Sequence, residues 1–210
     1  MAIFESLGRQ LRFGRPIIVV TGLPRSGTSM AMKMLEAGGV PVLVDGIRTA
    51  DDSNPNGYYE LERVKALEKH RDISWLPEAR GKAVKIISFL LTWLPETYAY
   101  KVVFMQRDLG ELLASQNTML VRRGETDRTG NDEQTRTFYE QHLDQVSRFL
   151  SRRPCFSTLT VNYSDVVNRP EDEARRMADF LGGRLDVDRM AGVANPSLYR
   201  NRRDPHVSRP

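Results

Sequence analysis

Short apolar runs alternate with helix-length segments whose apolar positions recur three and four residues apart. Ile17–Val20 is a continuous, β-branched run, the pattern of a strand buried on both faces. Similar runs at Val40–Val44, Ala83–Ile87, Lys101–Met105 and Phe156–Val161 predict further strands. Between them, Thr28–Ala37 carries Met30, Met34, Leu35 and Ala37 at helical spacing and is stopped by Gly38 and Gly39. Tyr58–Arg71, apolar at Tyr58, Leu61, Val64 and Leu67, predicts a second helix, and Leu109–Arg122 another. Glu133–Ser151 is a long amphipathic segment with Phe138, His142, Leu143, Val146, Phe149 and Leu150 on or near one face. Glu171–Leu181 closes the helical series. Shorter helices are expected at Phe89–Leu94, ended by Pro95, and at Phe4–Phe13 within a basic lead-in.

Strands alternating with helices imply an α/β fold with a mainly parallel central sheet flanked by helices. Residues 1–210 suit one domain, with 1–15 and 201–210 as flexible ends. In such folds ligands lie beyond the carboxyl ends of the strands. Two polar, turn-rich stretches, Arg48–Gly57 and Gly124–Asn131, are candidates for substrate-facing loops.

Composition narrows the class. A hydrophobic share of 40% and a charged share of 28% are those of a soluble globular protein. The net charge of +4 suits an anionic ligand, but no stretch clusters that charge with aromatic platforms, which argues against nucleic acid as a partner. A single cysteine, Cys155, excludes an intramolecular disulfide and a cysteine-rich metal site. The N-terminal MAIFESLGRQLRFGRP is too polar for a signal peptide, and there is no apolar run of the ~18 residues a membrane crossing needs. The expectation is a cytoplasmic protein with no membrane partner.

The chemistry concentrates where the first strand meets the first helix. Gly22, Leu23, Pro24, Arg25, Ser26 and Gly27 form a tight turn, and Thr28 and Ser29 open the helix. A strand, a glycine loop and a helix start aim backbone N–H groups and the positive helix end at one point, where an anion can sit. A nucleotide-hydrolysing loop of this type spells G-x-x-x-x-G-K-[ST]. Here Thr28 replaces the lysine, and a cation, Arg25, stands inside the loop instead.

The spelling P-R-S-G-T-S resembles the 5′-phosphosulfate-binding loop of sulfotransferases, P-[KR]-S-G-T-[ST]. Further on, Arg107 follows its strand and Ser115 lies eight residues later in QRDLGELLAS. This is similar to the 3′-phosphate-binding motif of the same family, and a forked permanent cation with a hydroxyl suits a phosphate dianion. NYSDVVNRPEDEARRMADFLG and Asn54-Pro55-Asn56-Gly57-Tyr58-Tyr59-Glu60 resemble two further family segments, so the likeness covers residues 16–200.

The resemblance implies a P-loop NTPase-like fold and transfer of a sulfuryl group from 3′-phosphoadenosine 5′-phosphosulfate (PAPS) to a hydroxyl or amine of a small-molecule or carbohydrate acceptor. It assigns the donor to Gly22, Pro24, Arg25, Ser26, Gly27, Thr28, Ser29, Arg107 and Ser115, with Arg25 also catalytic and no metal required. The general base is open. The cytosolic branch carries a histidine after a strand in a K-x-H-type segment, where AVKIIS has Lys85 and Ser88. Glu60 leads the alternatives, with Asp45 second and Asp52 after it; His70 is read as solvated and His142 as packing beside the core. Lys82 is as ambiguous as Lys85, and Arg200, Arg202 and Arg203 are candidates for closing over the 3′-phosphate. Two other readings stay open: an ATP-binding P-loop protein or kinase, and a catalytically silent protein that binds adenosine 3′,5′-bisphosphate (PAP).

Overall fold

The computed structural model describes residues 14–47, 57–70, 72–122, 124–125, 132–182 and 184–194. Strand β1 (Ile17–Gly22) leads into α1 (Thr28–Ala37), followed by α2 (Glu62–His70), β2 (Ala83–Lys85) and a 3-10 turn (Ser88–Trp93). Then come β3 (Tyr100–Gln106), α3 (Leu109–Arg122), α4 (Asp132–Ser151), β4 (Phe156–Asn162), α5 (Tyr163–Asn168), α6 (Pro170–Leu181) and α7 (Val187–Ala191). The four strands form one sheet in the order β2-β1-β3-β4, every pair parallel, which makes this an α/β fold with helices on both faces.

The β-branched run of β1 explains its central position. Ile17 and Val19 point into a core beneath α2, the 3-10 turn and α4, with Val84, Val102, Phe104 and Phe156. Val20 faces the other side, with Val103, Met105 and Val161, under Met30, Met34 and Leu35 of α1 and Met177 of α6. The chain passes from β1 to β2 on one side and then crosses back past β1 to β3 on the other, so the switch point falls between β1 and β3.

Two expectations change and two further helices are present. Val40–Val44 is not a strand: Val42 makes one isolated parallel bridge to Ala83, flanked by Leu43 N donating to Ala83 O and Ala83 N donating to Pro41 O. Pro41 has no N–H to extend that ladder. The second helix starts at Glu62 rather than Tyr58, because Tyr59 has φ 50°, outside the helical region. Tyr163–Asn168 is helical, which its sequence did not announce. Val187–Ala191 is also helical, capped by the Asp186 carboxylate accepting from Arg189 N, with Met190 fully buried.

The helix expected at Phe4–Phe13, the loop 48–56 that contains Asp52, the His70 side chain and Arg200, Arg202 and Arg203 lie outside the described residues. Among the described residues no helix is long and apolar enough to cross a membrane.

Candidate active site

The strand register sets the site. Gly22 pairs with Met105 and Gln106 with Asn162, so the loop after β1, Arg107 and Tyr163 all leave the sheet at neighbouring carboxyl ends. The loop Leu23–Gly27 folds on itself through Ser26 N donating to Leu23 O at 3.1 Å. Arg25 adopts φ 72°, a left-handed conformation uncommon for a residue with a Cβ and found at ligand sites. Gly27, at φ 99°, caps α1 from the left-handed region. A Cβ there would lie 2.5 Å from Tyr163 Cδ2, and one on Gly22 2.5 Å from the Met105 carbonyl. Only glycine fits either position.

Helix α1 has no side-chain cap and no acidic residue in its first turn. Its opening N–H groups and positive dipole end are thus presented beside the half-buried Thr28 and Ser29. The Thr21 and Ser26 hydroxyls are buried without a hydrogen-bond partner, a cost of about 1–3 kcal/mol each that calls for an explanation.

Arg107 ties three elements together. Its Nη1 donates to the Arg25 carbonyl at 3.3 Å and its Nε to Glu111 Oε2 at 3.3 Å. Its guanidinium carbon lies 4.4 Å from the centre of the Tyr163 ring. Asp108 caps α3 by accepting from Glu111 N at 3.1 Å, which turns the Glu111 side chain back onto Arg107. Both members of that ion pair are almost fully enclosed, at 7% and 8% exposure. Arg25 Nε in turn donates to Ser115 Oγ at 3.2 Å. Two motifs 90 residues apart in sequence are therefore in direct contact.

The acceptor-side candidates sit beyond β2. Asp45 accepts from Glu62 N at 2.5 Å and from Ile47 N at 3.1 Å. These bonds cap α2 and hold its carboxyl below the ordinary carboxylate value, the Glu62 amide contributing most. Glu60 lies 3.4 Å from Lys65 Nζ and 3.7 Å from Lys85 Nζ, and Lys85 also donates to the Tyr58 carbonyl. Lys82 instead pairs with Glu78 on the surface. Among the described residues no group of three or more His, Cys, Asp or Glu could hold a metal ion. Guanidiniums, hydroxyls and backbone N–H groups form a donor set whose chemistry suits an anion.

The structure brings two features forward that the sequence reading left in the background. Tyr163 is an aromatic standing directly after a strand, one step past a residue paired with Gln106. Ser88 and His142 meet at 2.9 Å, although they are 54 residues apart.

A family model described as "Sulfotransferase domain" matches residues 15–209. Among solved structures, retinol dehydratase in complex with androsterone and inactive cofactor PAP matches with TM-score 0.50 and 18% identity, over 91% of this chain and 67% of that one. A sulfotransferase from Alicyclobacillus acidocaldarius matches with TM-score 0.44 and 14% identity, over 83% of each chain. The sulfotransferase domain from the curacin biosynthetic pathway gives TM-score 0.45 and 15% identity, over 80% of this chain and 74% of that one. No curated protein matches the chain in sequence.

Proposed function

Because this chain belongs to the sulfotransferase domain family, we propose that it moves a sulfuryl group from PAPS to an acceptor hydroxyl or amine, releasing PAP. The observation that carries this reading is the contact of the two phosphate motifs: Arg25 donates to Ser115 while Arg107 donates to the Arg25 carbonyl. A donor carrying both a 5′-phosphosulfate and a 3′-phosphate needs two cationic subsites held at a fixed spacing, which this lattice of bonds supplies. The PAP in the retinol dehydratase structure agrees with such a donor.

As the S–O bond breaks, negative charge grows on the leaving 5′-phosphate oxygen. In this reading Arg25, the loop amides of Ser26, Gly27 and Thr28, and the hydroxyls of Thr28 and Ser29 stabilise that charge, and stabilisation that grows with it lowers the barrier. Pro24 and Gly22 shape the loop. Arg107, fixed by Glu111 and the Tyr163 face, and Ser115 hold the 3′-phosphate. Asp45 serves the site by capping α2, and Glu60 holds Lys85 at the end of β2.

Calorimetric titration with PAP, 5′-AMP and ATP–Mg²⁺ tests the reading. PAP is expected to bind far more tightly than 5′-AMP. Preference for ATP–Mg²⁺, or indifference to the 3′-phosphate, would return the protein to the nucleotide-hydrolysing P-loop class.

A further inference from the structure

Strand β4 is the outer strand of the sheet, and among the described residues no strand lies beyond it. Tyr100 N donates to Cys155 O at 2.8 Å, and the parallel register runs on from Tyr100–Phe156 to Gln106–Asn162. Alternation along the strand then turns the backbone groups of Ser157, Leu159 and Val161 toward β3 and those of Phe156, Thr158 and Thr160 outward. Two outward groups are already engaged: Phe156 N donates to Arg153 O at 3.2 Å, and Thr160 O accepts from Arg176 Nη2 at 3.3 Å. Among the described residues, the N–H groups of Thr158 and Thr160 and the carbonyls of Phe156 and Thr158 are left on the open side. The strand carries none of the usual edge guards, for FSTLTVN has no charge, no proline and no glycine. Thr158 and Thr160 are exposed, and with Phe156 they line a cavity of about 310 Å³ beside Ser147 and Ser151 of α4.

We propose that β4 is an interface between two copies of this chain, joined edge to edge as antiparallel strands about a two-fold axis at Thr158. The open groups select a second copy because in this register they complement themselves. Thr158 N donates to Thr158 O of the second copy and Thr160 N to its Phe156 O, each bond repeated by symmetry. The two engaged groups, Phe156 N and Thr160 O, fall opposite one another and need no new partner. On the cavity face Thr158 meets Thr158 and Phe156 meets Thr160, and threonine pairs and aromatic–β-branched pairs are favourable across antiparallel strands. The strand is uncharged, so symmetric pairing brings no like charges together along it. One sheet then runs through both copies, with the carboxyl ends of the strands, and so the two Arg25 loops, at opposite rims. The pairing is independent of what the loop after β1 binds.

Sedimentation equilibrium of the full chain between about 2 and 200 μM tests this, with a mass rising toward twice 24.0 kDa expected. Thr158→Lys, at an exposed side chain, puts like charges on the axis and should weaken association at least ~10-fold. Thr158→Glu should do the same, and both should keep the parent's urea midpoint, since pairing with β3 does not use that side chain. An equimolar mixture of the two variants should associate again, because each residue 158 then faces its opposite charge. Thr158→Pro removes only an outward N–H and should also give a monomer. A parent that stays monomeric across the range overturns the proposal and gives the edge to a strand of another protein. A dimer untouched by Thr158→Lys puts the interface on another surface and overturns it too. If both charged variants are monomers and their mixture does not associate, the register at Thr158 is wrong.

Discussion

Arg107→Ala separates what holds the site together from what binds the donor. The substitution removes the ion pair to Glu111, the hydrogen bond to the Arg25 carbonyl and the cation over Tyr163. Glu111 is 8% exposed, so its carboxylate is left in a place water reaches poorly. Removing one partner of such a buried pair costs about 3–5 kcal/mol, chiefly as an uncompensated charge. For a chain of this size each kcal/mol moves Tm by about 2–4 °C, so a drop of roughly 6–20 °C is expected. Glu111→Gln added to Arg107→Ala removes that charge and should restore most of the lost stability.

Affinity should behave otherwise. A charge-assisted hydrogen bond is worth about 1.5–3 kcal/mol, which predicts a loss of roughly 10- to 150-fold in PAP affinity. That loss should persist in the double variant, while 5′-AMP binding changes little in either. Urea melts and calorimetry with both nucleotides make the measurement. If the double variant recovers PAP affinity together with stability, Arg107 is a structural residue and the 3′-phosphate assignment fails. If Arg107→Ala melts within 1 °C of the parent, the ion pair is not the enclosed one described.

Other substitutions probe the rest of the site. Arg25→Ala should cut kcat by about 10²–10³ with a smaller change in PAP affinity, and unchanged turnover would remove Arg25 from the chemistry. Ser115→Ala should weaken PAP but leave 5′-AMP within twofold; a parallel loss for both would make its bond to Arg25 the main role. Gly27→Ala forces a Cβ to 2.5 Å from Tyr163 at a left-handed φ, and a cost of about 1–3 kcal/mol is expected in urea melts. Acid should act through Asp45, Asp72 and Asp165, all held below the usual 3.8 by hydrogen bonds, Asp72 to about 2 mainly by the Ser74 hydroxyl. A carboxyl more acidic folded than unfolded contributes stability that is complete above its unfolded pKa and is lost as pH falls through its folded one. Urea midpoints should therefore drop between pH 4 and about 2, less steeply in Asp72→Asn; an identical slope would contradict this.

Where local pattern and tertiary demand agree, the sequence announces the element. β1 needs two buried faces and has a β-branched run; α3 runs from Leu109 to Arg122 as its periodicity requires, with Asp108 in place as a cap. Where partners decide, it does not. Val40–Val44 reads as a strand, yet Pro41 and the short length of β2 reduce it to one bridge. Tyr58 and Leu61 carry helical spacing, but Tyr59 is drawn to Glu36, which accepts its hydroxyl at 2.5 Å, and the helix waits for the Asp45 cap. A five-residue helix such as α7 has too few positions to show a period, and its anchor, Met190, is visible only once it is buried against Gly38.

The site divides along the same line. Arg25, Ser26, Gly27 and Thr28 are legible because one backbone turn positions them all, so spacing in sequence is spacing in space. Arg107 and Ser115 are legible for a similar reason, being joined by two turns of one helix. Tyr163 and His142 are not, because their neighbours come from elsewhere: Tyr163 reaches Arg107 only through the β3–β4 register, and His142 reaches Ser88 only through the packing of α4 on the 3-10 turn. Asp45 shows the converse. A carboxylate at the end of an apolar run reads as a candidate base, but once Glu62 N donates to it, its charge serves the helix.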